Sequence, residues 1–152
     1  MVIEHPGLCR TLAEFLKEHP HLERRDARTL IQQIVKAAQA CTRKEICHFD
    51  IHYHNILVIS PPLHIKLIDF GCGLHISHDP ENYPQRDTVI SPERAEKRTV
   101  NQLVTIVQDI ARHCSSIPTD FMGFMAACWS PLNTTGEIQH SMKILNQPWL
   151  RD

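Results

Sequence analysis

The chain has 152 residues, enough for one domain with its own core, and an ordinary apolar fraction of 42%. Its formal net charge is -1, so no basic excess points to nucleic acid or to an anionic membrane surface. No apolar run approaches a membrane span, and Met1-Val2-Ile3-Glu4-His5-Pro6 lacks the basic and apolar regions of a signal peptide.

Leu8, Leu12, Phe15 and Leu16 recur at helical spacing, and His19-Pro20 closes that helix. Asp26 leads into a longer helix with the apolar stripe Leu30, Ile31, Ile34, Val35, Ala38 and Cys41. Ile56-Leu57-Val58-Ile59 and Ile65-Lys66-Leu67-Ile68 read as two strands, and Ser60-Pro61-Pro62 is the breaker between them. Gly73 to Arg98, with Pro80, Pro84 and Pro92, reads as a polar surface loop. Val100, Leu103, Val104, Ile106, Val107 and Ile110 then form a helical stripe, and Phe121, Met122, Phe124, Met125 and Cys128 a second one, most simply core packing. The fold class is mainly α with a small β hairpin. Six cysteines, at 9, 41, 47, 72, 114 and 128, form no C-x-x-C pair. The expectation is reduced thiols in a cytoplasmic or nuclear protein, with Cys47 buried.

Around the hairpin lie the residues that carry chemistry. His48-Phe49-Asp50-Ile51-His52-Tyr53-His54-Asn55 precedes the first strand, and Asp69-Phe70-Gly71 follows the second. One reading takes His48, Asp50, His52 and His54, which alternate and would share one face of an extended strand, as zinc ligands. The blandest reading is two buried strands with an incidental Asp at each end. A third reading accounts for Asn55 and for the second segment as well. The two segments resemble the catalytic loop H-R-D-x-K-x-x-N and the D-F-G loop of protein kinases, in the right order and at the right separation. A lone D-F-G is weak; two such motifs joined by a strand-turn-strand are a strong signal.

That resemblance implies ATP-dependent phosphorylation of serine or threonine in proteins. Phosphoryl transfer asks a protein mainly for positioning and charge stabilisation. Asp50 would receive the substrate hydroxyl as base, and His52 would stand where the family has a lysine beside the transferring phosphate. Asn55 and Asp69 would offer the oxygen ligands that magnesium requires. Phe70 would anchor the loop in the core, and Gly71 would let the backbone turn. Ile3-Glu4-His5-Pro6 is similar to the lobe-joining hinge of the Pim-like group, which would put Glu4 at the adenine edge and Leu57 under the ring. Ser91-Pro92-Glu93 stands where the family has A-P-E, and Pro148-Trp149 resembles the close of its terminal helix. The expected organisation is one partial kinase-like domain over 1-152. It has a hinge-like start at 2-7, catalytic loop 48-55, D-F-G 69-71, activation-loop-like segment 73-98 and C-terminal helices 99-150. Thr88, Ser77 and Ser91 are exposed-loop hydroxyls of the kind that take phosphate, although any surface loop has such residues.

The sequence also departs from the family. The five glycines are scattered, no glycine-rich loop or strand lysine precedes His48, and a large lobe without its small lobe is expected. Phe49 replaces the loop arginine and cannot pair bidentately with an anion. His52, unlike a lysine, is not a fixed cation. The D-x-W-S-x-G helix whose Asp braces the catalytic loop is not found, so the apolar stripes after residue 99 should lose part of their cover. Glu93 lacks its arginine partner and should be exposed or costly to bury. The alternative function is a catalytically inactive kinase-derived interaction module, or a gene fragment, that meets a partner protein rather than a protein substrate.

Overall fold

The computed structural model describes residues 8–114. Glu4, the hinge-like segment, the stripe at 121–128 and the terminal helix lie outside them. The described chain builds six short strands and three α-helices: β1 (Cys9–Thr11), α1 (Leu12–Glu18), α2 (Arg24–Arg43), β2 (Ile46–Cys47), β3 (Ile56–Ile59), β4 (His64–Leu67), β5 (Leu74–Ile76), β6 (Val89–Ile90) and α3 (Pro92–Arg112). Among these residues no helix is long and apolar enough to cross a membrane.

The first helix begins later than its apolar spacing suggests. Thr11 caps it: the Glu14 N–H donates to Thr11 Oγ1 at 3.2 Å, and Glu14 Oε2 accepts from the Thr11 N–H at 2.8 Å. This reciprocal box fixes the start, because it satisfies two amides that the first turn leaves open. Leu8 therefore falls before the helix and is 90% exposed, while Leu12, Phe15 and Leu16 are buried. His19 ends α1, its N–H donating to the Phe15 carbonyl and its ring stacked on Phe15 at 4.2 Å. The following Pro20 disfavours a helical conformation for His19. The second helix starts at Arg24, and Asp26 sits inside its first turn, where a carboxylate favours the positive helix end.

The expected hairpin is β3–β4, antiparallel, with Ile56 opposite Leu67 and Ile59 opposite His64. β1 adds to its other edge, Cys9 opposite Ile59. Gln33 of α2 holds the turn by two bonds: Nε2 donates to the Leu63 carbonyl at 3.0 Å and Oε1 accepts from the Ile65 N–H at 2.9 Å. A second sheet, β2–β5–β6, comes from segments of two or three residues, two of which lie inside the stretch read as loop. Strands that short carry no periodicity of their own.

One core joins the elements: Leu30, Ile31 and Ile34 of α2 and Leu103, Ile106 and Ile110 of α3 meet beneath Ile56 of β3. The third helix corrects two expectations. It begins at Pro92, inside the presumed loop, with Ser91 as N-cap, and its apolar stripe is buried rather than uncovered. It shares one buried cluster with α2. Glu93 points to solvent, and its carboxyl lies below the usual range because its own backbone amide and then Ser91 bond it.

Candidate functional site

His48 leaves β2 and is almost fully buried, at 1% exposure. Its Nε2 bonds the Ile68 carbonyl at 2.9 Å, immediately before Asp69, and its Nδ1 has no partner among the described residues. The backbone then bends: Phe49 has φ 66, in the left-handed region that costs a non-glycine residue. The Phe49 ring packs on the small cluster of Cys47, Ile90 and Ala95. Cys47 is buried, as expected, and its thiol is pushed up by burial. This turn removes the extended strand that the zinc reading needs. Among the described residues no three His, Cys, Asp or Glu side chains come together to hold a metal.

Asp50 and Asn55 face each other across the loop. Asn55 Nδ2 donates to the Asp50 carbonyl at 3.0 Å and to its Oδ2 at 3.2 Å. His52 joins them, its Nε2 at 3.3 Å from the same Oδ2. His52 Nδ1 accepts the His54 N–H at 3.2 Å, so the ring proton sits on Nε2 and points at Asp50. The short 3-10 turn Tyr53–Asn55 ends the loop. Tyr53 fastens it to α3, its hydroxyl donating to Asp109 Oδ2, which shares its carboxylate with Arg112. Burial and then the Asp109 bond push the Tyr53 hydroxyl well above its ordinary range, so the phenol stays neutral.

The Ile68 N–H donates to the Asn55 carbonyl at 2.9 Å, continuing the hairpin ladder and bringing the Asp69 segment to the end of the catalytic-loop-like turn. Asp69 is exposed, has φ 61, and accepts the Gly71 N–H on Oδ1 at 3.1 Å. A Cβ added at Gly71 would meet that same Oδ1 at 3.1 Å, so the turn leaves little room for a side chain. Phe70 departs from expectation. It is 46% exposed and rests tilted on His48, ring centroids 4.4 Å apart, instead of entering the core. Leu57 lies on β3 between the inward Ile56 and Val58, half-buried on the opposite face of the strand.

Asn55 is 7% exposed; its amide nitrogen is used twice by Asp50, and its Oδ1 has no partner among the described residues. Asp69 keeps Oδ2 free in the same way. Two uncommitted oxygens suit a hard divalent ion that takes its remaining ligands from phosphate and water.

A mainly α lobe with a catalytic-type loop and a D-F-G turn at the two ends of one hairpin is the large-lobe class of kinase architecture. The chain belongs to the protein kinase domain family, whose sequence profile matches residues 1–130. It is similar to serine/threonine-protein kinase pim-2 of Danio rerio, 41% identical over 73 residues that cover 48% of this chain and 24% of that protein. It is also similar to death-associated protein kinase 2 of Homo sapiens, 37% identical over 68 residues, 43% of this chain and 18% of that one. The match thus spans about a quarter or less of the length of these relatives. In fold it resembles the crystal structure of the Rad53 kinase domain and SCD2 in complex with AMPPNP. The TM-score is 0.64 at 17% identity, covering 99% of this chain and 75% of that one.

Sequence reasoning did not find Tyr53, Asp109, Arg98 or Gln102. All act between segments about fifty residues apart, and no local spacing announces such a contact.

Proposed function

We propose that this chain carries the catalytic and metal-binding face of a protein serine/threonine kinase using ATP and Mg2+. The supporting observation is the shared carboxylate of Asp50, held by the Asn55 amide while the Asn55 Oδ1 stays uncommitted. Asp50 accepts the hydroxyl proton of a protein substrate; Asn55 and Asp69 hold the metal; Glu4 and Leu57 border the adenine. When bound, Mg2+ neutralises charge on the phosphates. His52 orients Asp50 through Nε2 and has no lysine-like fixed charge to offer the phosphate.

A titration of thermal unfolding with ATP and Mg2+ tests this. The expected result is a rise in Tm that Asp69→Asn removes. No rise leaves the other reading, a kinase-derived module that binds a partner protein. That reading draws support from Phe49 and His52, which take the places of two cations. The 152-residue chain is expected to transfer no measurable phosphate to a basic Ser/Thr peptide, because Phe49 and His52 replace two cations of a site whose parts act as a unit. Turnover that Asp50→Asn abolishes would contradict that expectation.

A further inference from the structure

Three contacts from two side chains converge on one residue of the loop. Gln102 Nε2 donates to the Phe49 carbonyl at 3.0 Å, and Arg98 Nε donates to the same oxygen at 3.3 Å. The Arg98 guanidinium also lies over the Phe49 ring, 4.7 Å from its centroid. Arg98 and Gln102 are four residues apart and so share one face of α3. We infer that Arg98 and Gln102 are positioning residues: together they clamp the Phe49 carbonyl and thereby aim Asp50.

The reason lies in the peptide plane. The Phe49 carbonyl and the Asp50 amide belong to one rigid planar unit, so two donors that fix the oxygen also fix the orientation from which the Asp50 Cα departs. Phe49 stands in the left-handed region, which persists only where the surroundings over-determine it. The ring is held by Cys47, Ile90 and Ala95 and by Arg98. Gln102 Oε1 has no partner among the described residues, so within them the side chain serves as a donor. A phenylalanine in the loop is thus matched to an arginine on the helix. The clamp consists of groups already in the chain and needs no phosphate added to the loop after Gly73.

This inference rests on the kinase reading for the role of Asp50, but its test needs no nucleotide. The readout is the side-chain amide of Asn55, whose hydrogens bond the Asp50 carbonyl and carboxylate. In 15N NMR of the full chain, Arg98→Met with Gln102→Met keeps an unbranched stem at both positions and removes both donors, together with the guanidinium over the Phe49 ring. The expected result is a dispersed, folded spectrum in which the Asn55 side-chain hydrogens exchange faster, roughly fivefold for each donor lost. Thr105→Ala, on the solvent side of α3, is expected to leave them unchanged. A folded double variant with unchanged Asn55 exchange overturns the inference, because packing alone would then hold the loop. Should the double variant not fold, the unmodified chain decides. Gln102 side-chain hydrogens protected relative to those of exposed Gln85 uphold the clamp, and equal exchange overturns it. An Asn55 response without any Mg-ATP effect on Tm would leave the clamp standing and remove the ATP- and Mg2+-binding reading.

Discussion

The two ends of the β3–β4 hairpin are held in different ways. The loop from His48 to Asn55 is tied to α3 by Tyr53 to Asp109 and by Arg98 and Gln102 to Phe49, and it is closed on itself by Asn55 to Asp50. The turn at Asp69–Gly71 has a bond within itself and a half-exposed ring resting on His48. A base must be fixed to within a fraction of an ångström to act. The difference teaches that the half of the site next to α3 is held by the helical core, whereas the exposed turn is held by a local bond and by one ring on His48.

The largest effect should come from removing the common support. Leu103→Ala truncates a fully buried side chain of α3 in the shared core and should lower stability by about 2–5 kcal/mol, measured by urea unfolding. Both ends of the hairpin should lose order together; a loss confined to one would break the comparison. Next, Tyr53→Phe removes one hydroxyl from the tethered loop and leaves Asp109 with Arg112 alone. It should cost about 1–2 kcal/mol. Amide exchange should quicken at 53–55 and stay unchanged at 69–71.

Phe70→Ala should cost only about 1 kcal/mol, since nearly half of the ring already meets water. Phe15→Ala, buried in α1, should cost about 3–5 kcal/mol in the same assay. Equal costs would mean that the exposed turn is anchored as firmly as the core. The smallest effect concerns acid. The Thr11 backbone amide and then its hydroxyl hold the Glu14 carboxyl below its ordinary value of 4.5. A depressed carboxyl contributes stability that is present above 4.5 and is lost as pH falls through its folded value. Glu14→Gln should therefore lower the urea midpoint slightly at neutral pH and have no effect well below pH 4.5, with the site residues undisturbed throughout.

The sequence by itself determined the family resemblance, the mainly α class, the β3–β4 hairpin with its Ser-Pro-Pro break, and the stripes of α2 and α3. These follow from periodicity and from motifs that lie within a dozen residues, where neighbours along the chain are neighbours in space. It also marked Asp50, His52 and Asn55, which the loop does bring onto one carboxylate oxygen. Leu8 stays out of α1 and α3 begins at Pro92 because of local caps, Thr11 with Glu14 and Ser91 before Pro92, that apolar spacing overlooks. Tertiary structure alone decided that segments as short as Ile46–Cys47 and Val89–Ile90 become strands. It also decided that Phe70 lies outside while His48 lies within. The short strands and the two rings each depend on a partner remote in sequence: β2 and β6 pair with β5, and Phe70 rests on His48. The Phe49 clamp belongs with them, because a phenylalanine in place of an arginine reads as a loss until α3 is seen to supply the guanidinium.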